Sequence, residues 1–139
     1  MNIDPIRDGI VIDHITAGRG MELFRLLGLD GADCTVALIM NVSSRKMGRK
    51  DIIKIDSDFN INTDILGYVD PFVTVNIIRD GTPVEKRTIE LPEKLVGVLK
   101  CKNPRCITST EREVPHVFVL TDRVNRVYRC EYCEARAER

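Results

Sequence analysis

The sequence predicts an α+β protein of two domains, a ferredoxin-like sandwich with one added strand and a small all-β module of the ribbon type. Three observations support this prediction. Strand-like and helix-like segments follow one another in the order β-α-β-β-α-β-β over residues 9–90. Two close pairs of cysteines stand beyond residue 100. Between these regions lies Leu91-Pro92-Glu93, which we interpret as the boundary between domains at residues 1–93 and 94–139.

Five segments of the first domain are rich in β-branched residues or alternate between apolar and polar side chains, as β-strands do. They cover residues 9–15, 35–41, 51–55, 72–78 and 82–90. Asp80-Gly81 lies between the last two and predicts a two-residue hairpin turn. Pro83 indicates that the fifth strand lies at an edge of the sheet, because proline has no N–H to donate.

Two segments between the strands predict helices. Residues 21–27 combine helix-forming and apolar side chains, and Gly28 is suited to end that helix. Asn62 is a favourable N-cap for a short helix over residues 62–67. With both helices in place, the order of elements is that of a ferredoxin-like sandwich followed by a fifth strand.

The two cysteine pairs are Cys101 with Cys106 and Cys130 with Cys133. Two short-spaced pairs, separated by one hairpin-length insert, are the layout of a tetrahedral thiolate zinc site. The insert contains strand-like residues 117–120 and 127–129, which predict that hairpin and therefore a zinc-ribbon-like domain. Four thiolates fill the coordination positions of zinc, so the ion is expected to be structural. Two disulfides or a redox-active Cys-x-x-Cys pair are the alternatives.

Composition narrows the possible functions. The chain carries 21 basic and 21 acidic residues, and neither domain has the basic excess of a dedicated nucleic-acid binder. No apolar run approaches the roughly 18 residues of a transmembrane helix, and the sequence does not open with a signal-peptide pattern. A cytoplasmic protein with reduced thiols is therefore expected, which favours zinc over disulfides. The fifth cysteine, Cys34, is interpreted as a small buried hydrophobe.

Polar residues within the predicted strands are the candidates for a binding site. Lys50 and Lys54 lie four residues apart and share one face of a strand. Such a pair could hold phosphate oxygens, although a solvated charged face is the commoner explanation. Asn76 is unusual in an apolar strand and could read a base edge or lie at a surface edge. Asp13 and His14 are adjacent in a strand, so we expect them to point to opposite faces and not to form a catalytic dyad.

Several motifs, in their order along the chain, resemble those of the regulatory chain of aspartate carbamoyltransferase. They are residues 11–15 (VIDHI), 47–55 (MGRKDIIKI), 74–76 (TVN) and 91–93 (LPE), together with the two cysteine pairs. The resemblance implies a non-catalytic chain of pyrimidine biosynthesis, with an N-terminal allosteric nucleotide-binding domain and a C-terminal zinc domain that contacts the catalytic chain. It also implies a regulatory-chain homodimer that bridges two catalytic trimers and responds to CTP and ATP through one shared site.

The resemblance further implies a set of nucleotide-binding residues. They are Ile6, Asp13, His14, Lys50, Lys54, Asn76, Ile78 and Lys86. In this set Lys50 would contact the nucleotide, Lys54 would contact ribose or phosphate, and Lys86 would reach the phosphates from the last strand. The aspartate and histidine would lie near the ribose and phosphate end, Asn76 would lie beside the site, and the two isoleucines would give base and backbone contacts. Gly81 and Pro83 depart from the family's pattern near the region that discriminates between bases.

Two other classes of protein remain as alternatives. The first is a zinc-ribbon nucleic-acid-binding or transcription-associated protein. Its weakness is an aromatic content of only 5%, because proteins that bind single strands stack bases on aromatic side chains. The second is a redox enzyme that uses Cys130 and Cys133. The presence of a second cysteine pair speaks against it.

Overall fold

The computed structural model describes residues 5–138 of the chain. These residues belong to two compact units that divide between Glu90 and Leu91. Each unit has its own sheet, with five strands in the first and three in the second. The mixed helix and strand content and the antiparallel pairing confirm the predicted fold class. Within the described residues, no helix has the length and apolar character needed to cross a membrane.

The first unit combines a five-stranded antiparallel sheet with two short helices. The strands are β1 (Gly9–Thr16), β2 (Val36–Ser44), β3 (Gly48–Ile55), β4 (Thr74–Arg79) and β5 (Thr82–Thr88). The helices are α1 (Gly20–Leu26) and α2 (Thr63–Val69), and a 3-10 turn covers Leu29–Gly31. The strand order is β2-β3-β1-β4-β5. Its first four positions are the ferredoxin-like arrangement, and β5 is added at the edge through a hairpin with β4.

The residues that were predicted to begin, end or connect these elements do so. The Asn62 side chain accepts hydrogen bonds from the N–H groups of Asp64 (3.0 Å) and Ile65 (3.4 Å) and caps α2. Gly28 follows α1 with a φ of 73°, in the left-handed region that favours glycine. The Asp80-Gly81 turn has φ values of 52° and 76°, which are typical of a type I′ hairpin turn.

Strand register gives the five-stranded sheet one apolar face and one polar face. Ile12 lies between Ile53 on β3 and Val75 on β4, and all three side chains are buried. The core on this side includes Ile10, Ile12, Ile15, Leu23, Ile53, Ile55, Leu66, Val69, Val73 and Val75. Successive side chains of a strand point to opposite faces. The intervening residues therefore form the second face, where Val11 lies between Lys54 and Asn76.

Asp51 is a buried carboxylate that connects three segments of the chain. Its exposed fraction is 0%. One oxygen accepts hydrogen bonds from the N–H groups of Gly18 (3.1 Å) and Gly20 (2.9 Å), and the other accepts one from Asn41 (2.8 Å). A Cβ added to Gly20 would lie 2.7 Å from the first oxygen, so glycine is required there. The carboxylate thus holds the start of α1 and the middle of β2 against β3.

Substitution of Asp51 by alanine is expected to lower the free energy of unfolding of the first unit by about 3–5 kcal/mol, because three N–H groups lose their acceptor. Urea denaturation of the full chain, followed by far-UV circular dichroism, measures this loss. Asp56 is exposed and directly follows β3, so Asp56→Ala is the matched control and should change stability by less than about 0.5 kcal/mol. Equal effects of the two substitutions would contradict the structural role of Asp51.

The second unit is built around a three-stranded antiparallel sheet in the order β6-β7-β8. Its strands are β6 (Lys94–Val96), β7 (Val117–Asp122) and β8 (Val127–Cys130), and a short helix α3 covers Ile107–Thr110. The hairpin expected between the cysteine pairs is confirmed as β7 and β8. The sequence did not predict β6, because three residues with one buried side chain, Leu95, carry no periodic signal. Leu95, Phe118 and Tyr128 are buried in this unit, and the Tyr128 hydroxyl donates to the Pro92 carbonyl at 2.5 Å.

Candidate functional site

The four cysteines of the two predicted pairs meet at one point. Their Sγ atoms all lie within 4.8 Å of one another. The sulfurs of Cys101 and Cys133 are 3.5 Å apart, and those of Cys106 and Cys130 are 3.7 Å apart. A tetrahedral site with metal–sulfur bonds of about 2.3 Å places its sulfurs about 3.8 Å from one another. The cluster therefore has the dimensions of a four-thiolate metal site, and these separations are too long for disulfide bonds of about 2.05 Å.

Hydrogen bonds around the cluster hold the first cysteine turn in place. The Ser109 hydroxyl donates its one hydrogen to the carbonyl of Asn103 (2.7 Å), and the carbonyl of Cys101 lies 3.2 Å from the same oxygen. The N–H of Cys101 donates to Nδ1 of His116 at 2.9 Å. Thr108 is buried, with its hydroxyl 3.1 Å from the Cys106 sulfur. These supporting residues carry no signal in the sequence, because nothing in a single sequence relates the position of His116 to a turn fifteen residues earlier.

The environments of the cysteines differ from one another. Burial raises the pKa of the Cys101 thiol to about 12, whereas hydrogen bonds from the backbone of Ala135 and the side chain of Asn103 lower the pKa of Cys133 to about 6. A metal binds the deprotonated thiolates, so metal binding at this cluster releases protons. Cys34 lies outside the cluster and is half-buried rather than fully buried as the sequence suggested.

The polar face of the five-stranded sheet contains most of the residues that the sequence associated with nucleotide binding. A cross-strand row runs from Lys54 on β3 through Val11 on β1 and Asn76 on β4 to Lys86 on β5. Directly paired residues of neighbouring antiparallel strands have their side chains on the same face. With a strand spacing of about 4.8 Å, the backbones of Lys54 and Lys86 are about 14 Å apart. Two ammonium groups and one amide therefore surround an apolar residue on a single surface.

A β-bulge shapes one end of this face, which we call the charged end and which consists of Asp13, His14 and Lys50. The β1–β3 register shifts by one residue in this stretch, and His14 has a φ of 59°. The Asp13 carboxylate accepts hydrogen bonds from Lys50 Nζ (2.9 Å) and from the His14 N–H (2.6 Å). His14 Nδ1 lies 3.0 Å from the hydroxyl of Thr74, which is paired with Asp13. Simple alternation therefore does not describe this stretch, because the bulge turns His14 toward Thr74.

The surroundings of Asp13 favour its ionised form. Burial acts to raise the pKa of this carboxyl, but the hydrogen bonds from Lys50 and from the His14 N–H, with the charges beside it, lower the pKa below its ordinary value. The side chains of Lys50 and Asp13 are only 16% and 22% exposed. A partly shielded ion pair thus occupies the charged end.

The opposite end of the polar face, which we call the apolar end, consists of Ile6, Gly9 and Ile78. Gly9 is paired with Ile78 across β1 and β4. A Cβ added to Gly9 would lie 2.9 Å from Cγ2 of Ile6, so Ile6 packs directly on the glycine. Ile6 is half-buried and Ile78 is buried. Along β1 the face therefore changes from apolar to charged, and all eight residues of the predicted set lie on it or at its two ends.

The fold and the cysteine cluster define a class of two-domain α+β proteins in which a sandwich domain is followed by a metal-binding module. The family model described as aspartate carbamoyltransferase regulatory chain, allosteric domain, matches residues 1–90. The model described as aspartate carbamoyltransferase regulatory chain, metal binding domain, matches residues 93–139. The chain belongs to this family, which confirms the resemblance of the motifs. It is accordingly a regulatory, non-catalytic subunit of aspartate carbamoyltransferase.

Full-length relatives support the same assignment. The chain is 51% identical to the aspartate carbamoyltransferase regulatory chain of Clostridium botulinum over 134 residues, which cover 96% of this chain and 92% of the relative. It is 50% identical to the protein of the same name from Clostridium tetani, covering 96% and 94% of the two chains. With the regulatory chain of Bifidobacterium longum the identity is 43%, and 99% of each chain is covered.

Proposed function

We propose that the first unit binds CTP and ATP on the polar face of its sheet, as allosteric effectors of an aspartate carbamoyltransferase catalytic chain. The proposal rests chiefly on the cross-strand row in which Lys54, Asn76 and Lys86 share one face. Lysine ammonium groups are point-charge partners for phosphate oxygens. An amide beside them can donate and accept hydrogen bonds, as recognition of a base or a ribose requires.

The change of chemistry along β1 supports one orientation of the nucleotide. At the apolar end, Ile6 and Ile78 offer apolar contacts and nearby backbone groups to the base. The cross-strand row follows, with Lys54 and Lys86 as partners for ribose or phosphate oxygens. At the charged end, Asp13 and His14 can accept hydrogen bonds from the hydroxyl groups of the ribose. This arrangement supports one shared site for both nucleotides.

We propose zinc as the metal of the second unit. The four cysteine sulfurs supply soft thiolate ligands in a tetrahedral set, which selects zinc over hard cations such as magnesium or calcium. Because four protein ligands fill the coordination sphere, the ion has a structural role and one ion binds per chain. It would hold the two cysteine turns together against β7 and β8.

We further propose that the second unit docks on the catalytic chain and that the first units of two regulatory chains pair, so that the dimer bridges two catalytic trimers in the cytoplasm. Among the described residues of the second unit, four large apolar side chains are exposed: Val96 (57%), Ile107 (45%), Val124 (89%) and Tyr132 (46%). Exposed apolar side chains are suited to a protein interface. Nucleotides can regulate this assembly only if they bind two of its quaternary states with different affinities.

Reconstitution with the cognate catalytic chain tests the proposal. The unaltered chain should assemble with catalytic trimers in size-exclusion chromatography and make their activity respond to CTP and ATP. Lys54→Ala should leave assembly intact and shift the nucleotide response to nucleotide concentrations about tenfold higher or more, whereas loss of the metal should abolish assembly. Lys46→Ala, which changes an exposed lysine between β2 and β3, is the control and should retain both properties. Assembly that survives the loss of Cys106 and Cys130, or a nucleotide response that survives the loss of Lys54 and Lys86, would contradict the proposal.

A further inference from the structure

The segment before β1 is tied to the turn between β4 and β5 by three contacts. The N–H of Gly81 donates to the carbonyl of Arg7 at 2.9 Å. The N–H of Asp80 donates to the carboxylate of Asp8 at 3.0 Å. The guanidinium of Arg7 binds the carboxylate of Asp80 at 2.5 Å. We call these four residues the N-terminal clasp.

The clasp uses backbone groups that a hairpin turn ordinarily leaves to water. Asp80 and Gly81 both have positive φ, as the two central residues of a type I′ turn do. Their N–H groups point out of the hairpin and are here bound by Arg7 and Asp8. The orientation of the turn is therefore coupled to the position of the residues that precede β1.

The clasp lies next to the apolar end of the polar face. Ile6 directly precedes Arg7 and packs on Gly9, and Gly9 is paired with Ile78. Ile78 in turn lies two residues before Asp80, and the β4–β5 register shifts between Ile77 and Ile78. One segment of the clasp therefore adjoins Ile6, which is next to Arg7. The other adjoins Ile78, which is two residues from Asp80.

We propose that the N-terminal clasp positions Ile6 and Ile78 and thereby sets the base preference of the nucleotide site, an inference that rests on the proposed function. The ion pair of the clasp contributes little to the stability of the fold, because the side chains of Arg7 and Asp80 are 77% and 86% exposed and solvent screens exposed ion pairs. The contacts of the clasp instead fix the segment before β1 and the β4–β5 turn. Both lie beside the apolar end, where the base of the nucleotide is proposed to bind. The phosphate-binding lysines lie on other parts of the face.

Two substitutions test the clasp in the full chain. Asp8→Ala removes the acceptor for the Asp80 N–H, and Asp80→Asn removes the charge that pairs with Arg7 while keeping a residue that tolerates positive φ. Isothermal titration calorimetry gives the dissociation constants for CTP, ATP and inorganic tripolyphosphate. The ratio of the CTP and ATP dissociation constants is expected to move toward one by about threefold to tenfold. This is the effect of losing one hydrogen bond or ion pair that positions the β4–β5 turn. Tripolyphosphate affinity should stay within about twofold, because no phosphate-binding lysine changes.

Glu85→Gln is the matched control, because it breaks the Glu85–Arg87 ion pair of the same hairpin without touching the clasp. It should leave the ratio unchanged, and thermal denaturation should show all variants folded. Equal CTP and ATP affinities in the unaltered chain, or an unchanged ratio in both clasp variants, would overturn this inference while the nucleotide site stands. An unaltered chain that binds neither nucleotide would overturn the proposed function, and the clasp proposal with it.

Discussion

Removal of the metal is expected to unfold residues 91–139 while residues 5–90 remain folded. The second unit has a small core, centred on Leu95, Phe118 and Tyr128, and modules of this size depend on a metal for stability. Structural zinc contributes on the order of 10–16 kcal/mol to the folding of small finger-like peptides. The first unit has a larger core of its own and contains none of the four ligands.

Hydrogen–deuterium exchange of the full chain, read by mass spectrometry with and without a strong chelator, distinguishes the two units. Peptides from β7 and β8 should lose protection in the chelator, and peptides from β1 and β3 should keep it. Metal analysis of the reduced protein should find one zinc per chain. Cys106→Ser should reproduce the chelator's effect, whereas Cys34→Ser, which changes the cysteine outside the cluster, should not. Protection of β7 and β8 that persists without metal would refute the structural role.

The second large effect is expected on nucleotide affinity. Removing one charged partner of a bound phosphate weakens binding by roughly 1.5–3 kcal/mol, which is about tenfold or more. Lys54→Ala combined with Lys86→Ala should therefore weaken CTP and ATP binding by about a hundredfold or more, provided that the two residues act independently. The affinity of the unaltered chain should also fall with added salt, because the ammonium groups are accessible to solvent ions.

Calorimetry with CTP and ATP at two salt concentrations measures both effects. Lys46→Ala removes one positive charge from an exposed site in the β2–β3 connection, so it controls for the change in net charge. Its effect on affinity should be less than about threefold. If the double variant binds nucleotides as tightly as the unaltered chain does, the cross-strand row does not hold the phosphates.

The features that the sequence predicted well depend on neighbours in the chain. The spacing of Cys101 to Cys106 and of Cys130 to Cys133 is enough to form two tight turns, and the cluster follows once a hairpin joins them. The N-cap at Asn62 is equally local, since its partners are two and three residues away. The period-two pattern of β3 also predicted correctly that Lys50 and Lys54 share one face.

The tertiary structure alone decided which distant residues meet. Periodicity gives the face of each strand but not its neighbours or its register, because pairing depends on residues far apart in the sequence. The order β3-β1-β4-β5 places Lys54, Asn76 and Lys86 in one row. The bulge that turns His14 toward Thr74 results from a one-residue mismatch between β1 and β3, and such a mismatch has no signature in either strand by itself.

The sequence by itself thus predicted the four-cysteine cluster, the order of strands and helices in the first unit and the family of this protein, since each is encoded by residue types at short or fixed spacings. It did not determine that Asp51 is a buried acceptor for three backbone N–H groups. Nor did it indicate that Arg7 and Asp8 bind the Asp80-Gly81 turn. Both arrangements join segments that only the folded sheet brings together, and their hydrogen bonds exist only after the strands have paired.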